Sequence, residues 1–286
     1  MRKALAALLA MCAIGVAAIA ASGPVGARDS NAMTVTMSDY AYNVDGQLHP
    51  GIATITLKNK GEESHVMALI PLKKGVTRKQ VLKALKSDNG SAFEKIAAGE
   101  ADFGAPTILT PGQETKVVTD KVAAGPYAMI CFFADAKGKP HFLHGMVQLL
   151  TVKGKPGTDV PDAAAEVDLT DTAISVPPGN APSDLTVRIT NSGTAVHSFL
   201  IVQLNGSATI DEVDAFFDSF EGGPWPDDAP GAIVGGIGDL RAGGTAYLTW
   251  KDLPPGRYGY VSASGGDEEG NNDDIAKGLK GEFTIG

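Results

Sequence analysis

Only two cysteines occur among the 286 residues, which excludes the disulfide framework that staples many small exported domains. Positive charge is also short, with 24 Lys and Arg against 33 Asp and Glu. Such a balance repels nucleic acid and anionic membrane surfaces, so both drop out as partners. A cationic protein partner suits it. Beyond the N-terminus, no run is apolar enough to span a bilayer.

The chain opens with "MRK", an alanine-rich apolar run, and a small-residue exit ending "GPVGA". Positive start, apolar middle and small-residue exit predict a signal peptide over residues 1–27, cleaved after Ala27. The expected destination is the periplasm or the exterior. An uncleaved anchor is the alternative, and the alanine content argues against it. A lipid anchor on Cys12 fits poorly, because Met11 precedes it and much of the apolar run follows. Cleavage leaves 22 Lys and Arg against 33 Asp and Glu, a net charge of −11. It also leaves Cys131 as the one thiol of the exported chain. Four roles are open to that thiol: buried hydrophobe, intermolecular disulfide, nucleophile or metal ligand.

An internal repeat sets the domain organisation. "ITLKNKGEESHVMALIPL" (55–72) aligns with "VRITNSGTAVHSFLIVQL" (187–204), placing Asn59, Gly61 and His65 on Asn191, Gly193 and His197. Downstream, Thr77 with Gln80 and Thr209 with Glu212 are capping boxes, each opening a short helix. Val81, Leu82 and Leu85 follow helical spacing, as do Val213, Phe216, Phe217 and Phe220. "AAGPYAMIC" (123–131) aligns with "PPGRYGYVS" (254–262). The rest of each copy is short alternating or apolar runs punctuated by Gly, Pro and Asn. The reading is all-β: two tandem Greek-key β-sandwiches, antiparallel, each with a short helical insertion. Their expected bounds are 32–153 and 166–286, joined by a Pro/Gly/Asp linker over 154–165.

"CFFADAKGKPHFLHGM" (131–146) carries the chemistry. His65 opens one strand, Cys131 closes a late strand, and His141 and Met146 precede the last. Two imidazoles, one thiolate and a weak axial thioether are the ligand list of a blue-copper site. Thiolate and thioether favour Cu(I) while imidazole also accepts Cu(II), and a strand-fixed geometry keeps reorganisation small. Each residue has a plainer role too. Cys131 and Met146 could simply pack, His65 could be a hydrogen-bonded core residue, and His144 competes with His141 as ligand. His141, after Pro140, has little reason to be core. Met67 and Met129 read as core.

The chain resembles the cupredoxin family, and the resemblance covers both copies. "NKGEESHVMAL" is similar to the turn that delivers the first copper histidine. "GPYAMICFFADAKGKPHFLHGMVQLLTV" is similar to the closing hairpin, with a Cys-to-His loop longer than in plastocyanins. The resemblance implies His65, Cys131, His141 and Met146 as ligands of one type 1 copper ion. It further implies an electron carrier with a redox protein partner. The second copy has Ser262 at the Cys131 position, Asp274 at or near that of His141, and Leu279 at that of Met146. A metal site there is not expected. Five histidines also cannot furnish the extra sites of multicopper oxidases, so no enzyme is expected. The alternatives are a metal-free binding module and a copper storage or delivery protein. The acidic "GGDEEGNNDD" (265–274) reads as a solvated loop, and Trp225, in a turn-rich segment, as packed.

Overall fold

The computed structural model describes residues 31–87, 91–177, 179–219, 224–264 and 273–286. The expected signal segment 1–27, Phe220 and most of the acidic stretch 265–274 lie outside them. In the first half the elements are β1 (Ala32–Ser38), β2 (Ala41–Gly46), β3 (Thr54–Asn59), β4 (His65–Val66), β5 (Ala68–Pro71), α1 (Arg78–Leu85), α2 (Ser91–Glu94), β6 (Ile108–Leu109), β7 (Glu114–Val118), β8 (Gly125–Ile130), α3 (His141–His144) and β9 (Val147–Val152). The second half follows with β10 (Ala165–Thr170), β11 (Ala173–Ser175), β12 (Asn180–Ala181), β13 (Leu185–Asn191), β14 (His197–Leu204), α4 (Ile210–Ser219), β15 (Gly231–Leu240), β16 (Thr245–Trp250), β17 (Gly256–Val261), α5 (Asp273–Ala276) and β18 (Lys280–Ile285). The protein is mostly β.

One eight-stranded sheet runs β11-β10-β13-β16-β7-β3-β1-β2. It crosses both halves, because β16 pairs antiparallel with β7. A joint of this kind buries two strand edges that would otherwise template aggregation. Facing it are the sheets β5-β8-β9 and β12-β18-β17-β14-β15. The pairing is not wholly antiparallel as expected: β1 runs parallel to β3, and β10 to β13. In each half the intervening strand folds back as the sheet edge, so the chain re-enters beyond it in the original direction. The segment 154–165 is not free either. Gly157 N–H donates to Pro50 O at 2.8 Å, and Ile52 N–H donates to Gly157 O at 3.0 Å.

Period-two patterning decides what faces inward. Met33, Val35 and Met37 of β1 are buried, as are Ile55, Leu57 and Asn59 of β3. Tyr127 and Met129 of β8 point into the same core, and the next position in that register is Cys131. The opposite face of β8, Ala128 and Ile130, packs with Val81 of α1. Thr77 and Gln80 form the expected capping box on α1. At α4, Thr209 N–H donates to Glu212 Oε2 at 2.7 Å. Trp225 packs edge-on against Phe216, with ring centroids 5.0 Å apart.

Candidate metal centre

Asn59 is the last inward residue of β3, so its amide must be satisfied inside the protein. Its Nδ2 donates to Glu63 O at 2.8 Å and Leu109 O at 3.0 Å, while Oδ1 accepts Gly61 N–H at 2.9 Å. These bonds fold residues 60–64 into a tight turn that delivers His65. Asp39, in the turn after β1, accepts the N–H groups of Glu62 and Glu63 at 3.0 and 3.2 Å. It also lies 3.1 Å from His65 Nε2. Burial works against the Asp39 carboxylate, yet the hydrogen bonds from Glu62, His65 and Glu63 hold its pKa below the ordinary value.

His141 begins α3, where its N–H donates to Phe133 O at 2.7 Å. It is fully buried, against the sequence expectation for a residue after Pro140. Tyr40 covers it edge-on with centroids 5.0 Å apart, and stacks on His144 at 4.3 Å. The Tyr40 hydroxyl donates to Glu63 Oε1 at 3.2 Å. The other Glu63 oxygen lies 2.8 Å from His141 Nε2, a close contact without linear hydrogen-bond geometry. His144 turns away, to Asp135 Oδ2 at 2.8 Å and Lys139 Nζ at 3.3 Å. Met146 is fully buried. Its N–H donates to His141 O at 3.1 Å and its carbonyl accepts Cys131 N–H at 3.2 Å.

Three donor atoms converge. His65 Nδ1 and His141 Nδ1 are 3.1 Å apart, and Cys131 Sγ is 3.9 Å from the first and 3.4 Å from the second. All three residues are buried. A triangle with those sides has a centre about 2 Å from every corner, the length of a metal–nitrogen bond and slightly less than a metal–sulfur bond. Asp39 accepts at His65 Nε2 and the Glu63 carboxylate lies against His141 Nε2; with a proton on each outer nitrogen, both Nδ1 lone pairs turn inward. Two lone pairs then face each other at hydrogen-bonding distance with only the thiol proton among them. A cation satisfies all three donors at once, so the donor set fits a soft or borderline metal ion.

Burial lowers the pKa of both His65 and His141, and it raises that of Cys131 to about 11. The N–H of Val66, 3.3 Å from Cys131 Sγ, opposes that rise in part. Without metal the thiol therefore stays protonated at neutral pH. Because the folded chain holds this proton more tightly than the unfolded one, stability falls as pH rises through the unfolded value of 9.0 toward 11. The metal-free protein is expected to lose melting temperature as pH rises above 9, and Cys131→Ser to flatten that limb. A limb of equal slope in both proteins would place the titrating group elsewhere.

The second half builds the same frame around different chemistry. Asn191 donates to Ala195 O at 2.8 Å and Leu240 O at 2.7 Å, and accepts Gly193 N–H at 2.9 Å. Ser198 N–H donates to Ser262 Oγ at 3.0 Å, as Val66 N–H does to Cys131 Sγ. Asp274 Oδ2 accepts from Ser262 Oγ and lies 2.9 Å from His197 Nδ1, while Asp171 takes His197 Nε2 at 3.0 Å. Hydrogen bonds fill this pole. Among the described residues, only His65, Cys131 and His141 form a converging metal-ligand cluster. The outer partners Asp39, Glu63 and Tyr40 escaped the sequence reading, although the 132-residue spacing of Asp39 and Asp171 was a usable signal for the first.

No protein-family model matches the chain, and no curated protein matches it. Solved structures do. Reduced auracyanin from the photosynthetic bacterium Roseiflexus castenholzii is 24% identical, over 42% of this chain and 94% of that one, with a TM-score of 0.31. Auracyanin A from Chloroflexus aurantiacus, described as a "blue" copper protein, is 14% identical over 42% and 98%, with a TM-score of 0.28. Copper nitrite reductase from Nitrosomonas europaea is 13% identical over 88% and 93%, with a TM-score of 0.24.

Proposed function

We propose that this chain is an exported carrier of single electrons, built as two tandem cupredoxin-like sandwiches with one type 1 copper ion in the first. His65, Cys131, His141 and Met146 would hold the ion. The observation that carries the reading is the buried triangle of two inward Nδ1 atoms and one thiol sulfur. Bound copper supplies the chemistry, exchanging one electron between Cu(I) and Cu(II) in a set of donors that suits both.

The protein's part is to keep those donors still. Asp39 orients His65, Glu63 and the Phe133 carbonyl hold His141, and the Val66 N–H steadies the sulfur. Tyr40 packs edge-on against His141, which is itself buried, and this cover favours a retained ion over rapid delivery to a chelator. The second half serves as scaffold or docking surface, and the acidic chain would meet a cationic redox partner. Catalysis by a second copper would need more histidines than this arrangement spares: His144 and His197 are engaged with carboxylates.

Adding Cu(II) to the full chain is expected to load one ion and produce an intense visible thiolate-to-copper band. Paramagnetic resonance should show the narrow copper splitting of a thiolate site. Cys131→Ser should lose the band. Persistence of the band in that variant, or failure of the parent to take up copper, rejects the assignment.

A further inference from the structure

The pole opposite the metal centre differs between the two halves. Met33 pairs with Ile55 on β3, and Ala165 pairs with Val187 on β13, so these two positions correspond. In the first half Met33 and Leu48 are buried there and fill the end of the core. Asn31 ties that end shut. Its Nδ2 donates to the carbonyls of His49 and Ile52 at 2.9 and 2.8 Å, and its Oδ1 accepts His49 N–H at 2.6 Å. The corresponding residues of the second half are Ala163, Ala165 and Asn180. Two core side chains and the tie are therefore missing.

The walls change as well. Leu185 and Trp250 pair where the first half has Ala53 and Thr119. The outcome is a cavity of about 300 Å³, walled by Val167, Leu185, Phe199, Trp250 and Phe283, with Asn180 at its edge. Among the described residues, no charged side chain lines it. The indole N–H of Trp250 is already committed to Pro182 O at 3.1 Å. Asn180 is exposed at the mouth of the cavity: its Oδ1 accepts from the Thr284 hydroxyl, and among the described residues its Nδ2 has no protein acceptor.

The geometry points to a binding site for a small neutral molecule with an apolar body and one hydrogen-bond-accepting group. An apolar cavity of about 150 Å³ takes up benzene, so this one has room for about two rings or a short acyl chain. Burial of the ring faces of Trp250, Phe199 and Phe283 supplies affinity, and Asn180 Nδ2 meets the polar end. A charged ligand would find no counter-ion there. The site is independent of copper, and its test is run without metal.

The full chain is titrated with prodan, a neutral naphthyl ketone fluorophore whose two fused rings carry one accepting carbonyl. One saturable site is expected, with energy transfer to the probe reduced more by Trp250→Phe than by Trp225→Phe. Restoring the first half's plug with A165M and N180L together should weaken binding at least tenfold without lowering the melting temperature. If the double variant fails to fold, A165M alone is held to the same affinity criterion. Absence of saturable binding to the parent, equal affinity in the plugged variant, or transfer unaffected by Trp250→Phe each overturns the inference.

Discussion

An Asn59→Ala chain is expected to melt about 10 °C below its parent. The substitution removes one amide and strands three groups: the buried carbonyl of Leu109 and the part-buried carbonyl of Glu63 and N–H of Gly61. Each stranded group costs about 1–3 kcal/mol, less whatever water recovers, for a total of about 4 kcal/mol. Each kcal/mol lowers the melting temperature of a domain this size by about 2–4 °C. The same change at Asn191 should cost a similar amount, because it strands the carbonyls of Ala195 and Leu240 and the N–H of Gly193. Only the first variant should also weaken metal uptake, since Glu63 sits in the turn that Asn59 holds. Thermal unfolding by circular dichroism checks both. A loss below about 3 °C at either site would mean that water substitutes for the amide and that the turn stands without it.

Copper should move stability in the other direction by a comparable amount. A ligand that binds only the folded chain, present at about a thousand times its dissociation constant, stabilises by about 4 kcal/mol, or about 10 °C on the same scale. The shift should vanish in Cys131→Ser and reverse on chelation. It should also depend on pH with a definite sign. The two histidines, their pKa values lowered by burial, enter the reaction neutral, whereas the Cys131 thiol, at about 11, enters protonated. One proton then leaves per ion bound, so the apparent affinity should rise about tenfold per pH unit between about pH 7 and 9. Calorimetry in buffers of different ionisation heat counts that proton. A slope near zero would mean that the sulfur is not a ligand, and a slope near two would mean that one ring was protonated beforehand.

Much of this architecture was legible residue by residue. Alternation of Met33, Val35 and Met37 with threonines marked a half-buried strand, and Thr77 with Gln80 marked a helix start through a purely local pair of hydrogen bonds. The 132-residue repeat announced that Asn59 and Asn191 would serve alike. Harder to see was the burial of His141. Proline before it and charged residues around it suggest an exposed loop, yet Tyr40 reaches over from the turn after β1, about a hundred positions away. The parallel pairing of β1 with β3 was equally hidden, because strand direction depends on which edge the chain re-enters and not on its composition.

The order of residue types alone determined which atoms could bind a soft ion and that the second copy lacks the thiol and thioether, since donor identity is a property of the side chain. Distances were decided only on folding. Convergence of His65, Cys131 and His141 onto one point and the joining of both halves through β7 and β16 depend on contacts between segments separated in the chain. The cavity left where Met33 and Leu48 have no counterparts is of the same kind. An empty volume belongs to no residue, and it exists only once the walls around it are packed.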